Sequence, residues 1–299
     1  MKKTSIKLLW TTALLLFAHQ SVAINVVTSV KPIHLITQEI TAGVADSSYI
    51  ISAGASPHDY ALRPSDIKRI KRADLVIWFG DDLEPFLEKV LEDKTNILTL
   101  SQLSSIDFRS YQTGHDEEGH DHHGHDHHGL DPHFWLGPYQ VKAVAKKITD
   151  KLIQLDPLHR SEYQSNLSRF QVSVDNAIEQ ITADLAAIQG HGYFVFHDAY
   201  GYFEETFGLN NLGHFTVSPD RKPGAKTLIG IRNKLKADNV YCVFSEPQFN
   251  PSVIESVTRG TDVGRGKLDP LATEVEEKPG AYAEFISGLG REFERCLTK

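Results

Sequence analysis

Seven of the chain's 15 histidines fall in one acidic stretch: His115, His120, His122, His123, His125, His127 and His128. The surrounding residues are glycine, aspartate and glutamate, with no apolar side chain to bury, so the segment 114–129 is expected to be solvated and mobile. Neutral imidazole beside carboxylate is the donor mixture that borderline divalent metals, zinc above all, prefer. A sparser set lies outside the tract. His58 sits in Gly54-Ala55-Ser56-Pro57-His58-Asp59-Tyr60, His133 in Asp131-Pro132-His133-Phe134-Trp135-Leu136, His197 at the end of an apolar run Tyr193–Phe196, and Asp269 in Gly266-Lys267-Leu268-Asp269-Pro270-Leu271. Each alone reads more readily as a loop or cap residue than as a ligand. Together they offer three imidazoles and one carboxylate, the ligand count of a tetrahedral zinc site.

The elements that must position these residues follow from periodicity. In the first half, strands are expected at Asn25–Val30, Tyr49–Ser52, Leu75–Phe79 and Ile97–Leu100. Helices are expected at Pro32–Ile40, from an N-cap at Ser65 through Arg72, and at Leu83–Leu91. After the histidine tract come a helix Pro138–Gln154 and a longer one from Pro157 to about Gln189, roughly 50 Å at 1.5 Å per residue. The second half repeats the alternation: strands Tyr193–Phe196, His214–Val217 and Val240–Phe244, with helices Tyr202–Phe207, Lys226–Lys236, Ser252–Arg259 and Ala281–Leu297. Repeated β-α units predict an α/β fold of two mostly parallel lobes, residues 24–156 and 190–299, joined by a rigid helix 157–189. In open parallel sheets ligands bind beyond the carboxyl ends of the strands, and the four candidate residues fall after expected strands or in loops.

Address and charge narrow the class. Lys2, Lys3 and Lys7 precede an apolar run Leu8–Ala18 and the small residues Ser21-Val22-Ala23, a pattern expected of a signal peptide 1–23 cleaved after Ala23. Removing it takes three lysines and moves the net charge from −8 to −11, which argues against nucleic acid or an anionic membrane as partner. No lipid-attachment cysteine follows the cleavage point and no other run is long enough to span a bilayer, so an exported, periplasmic chain without a membrane anchor is expected. Cys242 and Cys296 are the only cysteines, and an exported chain with two usually bonds them. Closing a loop of about 55 residues stabilises by roughly 4 kcal/mol in the chain-entropy account.

The segments Ser56-Pro57-His58-Asp59-Tyr60, Arg63-Pro64-Ser65-Asp66, Asp131-Pro132-His133-Phe134-Trp135-Leu136, Phe196-His197-Asp198-Ala199-Tyr200-Gly201-Tyr202-Phe203, Ser245-Glu246-Pro247 and Leu268-Asp269-Pro270 resemble the metal-binding solute-binding proteins of ABC importers, and most of all the periplasmic zinc-uptake type. The resemblance covers essentially the whole mature chain. It implies one metal held between two α/β lobes, with ligand roles for His58, His133 and His197 and, in many relatives, a carboxylate at the position of Asp269. It further implies an ABC permease as partner and a monomer. Manganese-type relatives carry a carboxylate where this chain has His197, which favours Zn2+ as the bound cargo. Some zinc-type relatives have glutamate just before the first histidine. Here that residue is Pro57, which leaves Asp269, water or a histidine of the tract for the fourth position.

Asp198 and Glu246 are expected to orient imidazoles from behind. His214, near the start of a strand, is a candidate for a second, weaker site shared with the tract, while His34, His159 and His191 read as packing or surface residues. Three histidines with an open position also suit a zinc hydrolase, but no His-Glu-x-x-His motif or nucleophile elbow is present, so a non-catalytic carrier is the expectation. A metal buffer or adhesin with no transport partner is the competing reading.

Overall fold

The structure is a computed structural model that describes residues 23–52, 54–111, 129–216, 223–237 and 240–298. Residues 1–22 of the expected signal peptide 1–23 and the histidines His115 to His128 lie outside the described residues.

Two four-stranded parallel sheets form the frame. The first contains β1 (Asn25–Thr28), β2 (Asp46–Tyr49), β3 (Leu75–Trp78) and β4 (Ile97–Thr99) in the order β2-β1-β3-β4. The second contains β5 (Gly192–His197), β6 (Asn211–Thr216), β7 (Val240–Ser245) and β8 (Gly264–Lys267) in the order β6-β5-β7-β8. The two orders are the same topology. In each, the chain leaves the lobe's first strand for one side and later returns to the other, creating a switch point beside β1 and β5. Leu75, Val76 and Ile77 are fully buried, as expected for strands covered on both faces.

Helices α1 (Lys31–Thr41), α2 (Pro64–Arg72) and α3 (Glu88–Leu91) flank the first sheet; α6 (Gly201–Phe207), α7 (Ala225–Ala237), α8 (Ser252–Thr258) and α9 (Ala281–Leu297) flank the second. Between them run α4 (Pro138–Leu155) and α5 (Arg160–Leu185). At 26 residues α5 is about 39 Å long, shorter than expected because Pro157–His159 forms a tighter 3₁₀ turn and the helix ends at Leu185. Its Tyr163, Phe170, Val174, Ala177, Ile181 and Leu185 recur at three-, four- and seven-residue intervals and are buried, giving one apolar stripe. Burying each large member contributes about 1.5–3 kcal/mol. The stripe meets α9, where a Cβ at Gly290 would stand 3.2 Å from Ile181. Asn166 on the same helix donates from Nδ2 to the carbonyls of Ile40 (2.8 Å) and Ala42 (3.0 Å), capping α1 and tying the first lobe to the strut.

Three local differences from the sequence reading have physical causes. β2 is the polar run Asp46–Tyr49, in register from Asn25↔Asp46 to Thr28↔Tyr49; the apolar Ile50 and Ile51 beyond it are buried but outside the ladder. α2 starts at Pro64, with Arg63 and not Ser65 before it, because the Asp66 carboxylate takes the Arg63 amide at 2.9 Å. β8, Gly-Arg-Gly-Lys, was not expected as a strand at all; it pairs with β7 from Cys242↔Gly264 to Ser245↔Lys267. Cys242 on β7 is bonded to Cys296 on α9, with Cα atoms 5.9 Å apart across a separation of 54 residues, so the last helix is pinned to its sheet as expected.

Candidate metal centre

Two loops and the end of a strand deliver the histidines. His58 lies in a one-turn 3₁₀ helix, Pro57–Asp59, where the Ser56 hydroxyl accepts from the His58 amide at 3.3 Å. The loop is anchored to α2 by Asp66, which is buried and accepts from the Tyr60 hydroxyl (3.0 Å) and Arg69 (3.0 Å). His133 follows the tract and opens the 3₁₀ turn Phe134–Leu136, whose three side chains are fully buried. Trp135 donates from Nε1 to the carbonyl of Pro270 at 2.8 Å and accepts at its own carbonyl from the Tyr282 hydroxyl at 2.9 Å, which fixes this turn against the second lobe. His197 is the last residue of β5, at the switch point of the second sheet.

These three side chains converge. One nitrogen from each of His58, His133 and His197 lies within 4.8 Å of the other two. The Nε2 atoms of His133 and His197 face each other at 3.4 Å. Both rings are turned this way from behind. His133 presents Nδ1 to Asp131 Oδ1 at 2.9 Å, and His197 presents Nδ1 to Glu246 Oε1 at 2.7 Å. A carboxylate acceptor places the ring proton on Nδ1, so two Nε2 lone pairs point at one spot. Two acceptors so opposed repel unless a cation sits between them. A tetrahedral ion with bonds of 2.0–2.1 Å to nitrogen sets its ligand atoms about 3.3 Å apart, matching the observed gap. The void bounded by the three histidines, Glu246 and Leu271 is about 10 Å³, room for one ion or water.

The two buried histidines are driven in opposite directions. Burial pushes His133 well below the ordinary imidazole value, and the neighbouring His197 and Arg109 add to this. Burial also pushes His197 down, but the charge and hydrogen bond of Glu246 outweigh it, and its pKa is raised above 6.5. Asp131 is raised to about 6, burial being opposed by the His133 amide and Arg109.

The other residues singled out from sequence fall elsewhere. Asp269 is outside the group whose donor atoms come within 4.8 Å. Both its oxygens are engaged: Oδ1 accepts from the Leu271 amide (3.1 Å) and Gln248 Nε2 (2.9 Å), and Oδ2 from the Thr273 amide (2.6 Å) and hydroxyl. It shapes the turn that carries Leu271 into the cleft wall. Glu246 stands behind His197, while Asp198 faces His214 at 4.0 Å, both being about 30 % exposed, and its charge favours the protonated form of both His133 and His197. His34 is buried, with Nε2 3.4 Å from Glu277 Oε2, and His191 stacks on Tyr241 at 3.8 Å between centroids, so both serve packing. Asp131 and Arg109 were missed. Asp131 stands two residues before His133, a spacing that lets a short side chain reach back to the ring; nothing local marks Arg109.

Two parallel-sheet lobes joined by a long helix, with an imidazole cluster between them, define the class of metal-binding solute-binding proteins. The family described as ZnuA, zinc-uptake complex component A, periplasmic, matches residues 26–296, and the chain belongs to that family. It is 41% identical over 288 residues to the high-affinity zinc uptake system protein ZnuA of Yersinia pestis, covering 91% of each chain. It is likewise 41% identical over 290 residues to the protein of that name from Haemophilus ducreyi, covering 92% of this chain and 94% of the relative. A crystal structure of ZnuA shares the fold, with a TM-score of 0.78 at 22% identity, covering 92% of this chain and 99% of the other.

Proposed function

We propose that the chain captures one zinc ion between His58, His133 and His197 in the periplasm and delivers it to the membrane permease of an ABC importer. The observation that carries this reading is the pair of Nε2 atoms held face to face at 3.4 Å by two carboxylates behind them. Zinc is cargo here, not a resident cofactor, and the role is non-catalytic. Water fills the fourth position, because Pro57 offers no donor and the Asp269 oxygens are spent on the Asp269–Thr273 turn. His58, half-buried where the other two are buried, is the ligand most open to solvent and the first to yield on release. The tract histidines His115, His120, His122, His123, His125, His127 and His128, with His214, collect zinc more weakly. Among the described residues no helix is long and apolar enough to cross a membrane, which accords with a carrier that docks on its permease without being embedded.

The test pairs chemistry with physiology. Mature protein stripped of metal is titrated with zinc against a competing chelator, with and without residues 114–129. A strain lacking the gene is grown in zinc-poor medium. One tight site that survives deletion of the tract, and a growth defect restored by the wild type but not by His133→Ala, support the reading. Tight binding that vanishes with the tract, or normal growth of the strain, contradicts it.

A further inference from the structure

Arg109 belongs to the first lobe, on the chain that leads into the histidine tract, yet its guanidinium reaches the second lobe. Nη1 donates to Asp131 Oδ2 at 2.7 Å, and Nε donates to Glu205 Oε1 on α6 at 2.7 Å. The guanidinium carbon stands 5.5 Å from the centre of the Tyr202 ring. The backbone is tied down as well: the Arg109 amide donates to the Tyr202 hydroxyl (2.9 Å), its carbonyl accepts from the Asp131 amide (2.7 Å), and the Tyr202 hydroxyl donates to the Asp131 carbonyl (2.8 Å). Asp131 is fully buried, and its second oxygen, Oδ1, takes both the amide (3.0 Å) and the Nδ1 (2.9 Å) of His133. The Tyr111 hydroxyl also approaches Nδ1, but at 3.5 Å it is too far to replace the carboxylate.

The crossing is built into α6. Its first residue is Gly201, and a Cβ there would overlap the Arg109 guanidinium. Only glycine lets the side chain lie over the start of that helix. The guanidinium's fixed N–H directions are divided between Glu205, through Nε, and Asp131 Oδ2, through Nη1; with Oδ1 held by the His133 amide, the second contact sets the plane of the Asp131 carboxylate.

We propose that Arg109 is a positioning residue for metal capture: lying over Gly201, it fixes the plane of Asp131 from across the lobe boundary, and through Asp131 keeps His133 in the Nδ1–H tautomer with Nε2 turned into the cleft. The consequence for zinc affinity rests on the reading of His133 as a ligand. The positioning itself does not, because it rests on the contacts among Arg109, Asp131, Gly201 and the His133 Nδ1 alone.

The test is made on metal-free, ¹⁵N-labelled mature protein, with tautomers read from long-range ¹H–¹⁵N spectra and zinc affinity from chelator competition. The variants are Arg109→Gln and Gly201→Ala. Gly201→Ala removes no polar group and substitutes a better helix former, so it displaces the guanidinium without stripping the site; it decides the matter should Arg109→Gln fail to fold. Wild type is expected to show a single Nδ1–H form for His133. Both variants are expected to show a mixture of tautomers and zinc binding weaker by about 10- to 100-fold, the range for groups that orient ligands. Retention of the single Nδ1–H form in Gly201→Ala overturns the proposal. Loss of that form with zinc affinity unchanged upholds the positioning and removes His133 from the ligand set, a failure of the site reading instead.

Discussion

The two lobes share a strand order, and each supplies a buried histidine backed by a carboxylate, yet the two histidines are not alike. His197 ends β5 at a switch point, and its partner Glu246 lies directly after β7, the next strand over. His133 lies on no strand; it is held by Asp131 two residues earlier, and Asp131 shares its charge with Arg109. In the second lobe the sheet sets the ligand. In the first, a turn and a cross-lobe cation set it. The electrostatic outcome follows: His197 is raised and His133 is pushed far down. The lobe boundary thus pairs an imidazole pushed toward its neutral form with one on which protons compete more strongly with metal as pH falls.

That comparison can be sharpened by mutation. The largest effects are expected at the ligands. His133→Ala and His197→Ala should each lower zinc affinity by more than about 100-fold, beyond the range attributed to groups that only orient ligands. His58→Ala should cost less, since that ring is the more exposed; chelator competition ranks the three. An equal loss at His58 would erase the proposed order of release.

Next come the carboxylates. Glu246→Gln and Asp131→Asn should each weaken zinc about 10- to 100-fold, with different pH signatures. The raised pKa of His197 means that protons compete with zinc from above pH 6.5 downward, so affinity falls as pH falls through that raised value. Glu246→Gln removes the group that raises it, so the fall should move to lower pH. Asp131→Asn leaves Glu246 in place and removes only a smaller raising charge, so it should move the fall less. Zinc affinity measured between pH 5.5 and 8 separates the two, and identical profiles would dissolve the asymmetry.

The disulfide gives a stability counterpart. Replacing Cys242 and Cys296 together by alanine should cost about 4 kcal/mol in denaturant unfolding, with little change in zinc affinity, because the bond pins α9 to β7. A large loss of affinity would tie the second lobe's half of the site to that helix. The smallest effect is expected at Asp269→Asn, within about fivefold in affinity because a carboxylate committed to backbone amides contributes about 1 kcal/mol through its turn; a hundredfold loss would make Asp269 a ligand after all.

The cleft histidines were legible because each sits in a short motif whose proline or strand end dictates local geometry. α9 was legible at both ends, Ala281 and Leu297, from its apolar period alone. β8 was not. Gly-Arg-Gly-Lys has no β-branched or apolar residue, and its glycines are required by what lies across from them: a Cβ at Gly264 would stand 2.9 Å from the Tyr241 carbonyl, and one at Gly266 would press on the Phe244 ring. That information belongs to the packed pair, not to the strand. Asp269 was ambiguous for the complementary reason. A carboxylate before proline looks the same in sequence whether it faces a metal or its own turn. Arg109 was invisible because its partners, Asp131 and Glu205, lie 22 and 96 residues away.

The central claim is that three imidazoles and no carboxylate hold the ion. X-ray absorption at the zinc edge, on mature protein loaded with slightly less than one equivalent of zinc, reads this directly. The account predicts three imidazole nitrogens at about 2.0–2.1 Å with one further oxygen. A shell with two imidazoles or fewer, or one carrying a carboxylate bound through both oxygens, would contradict it.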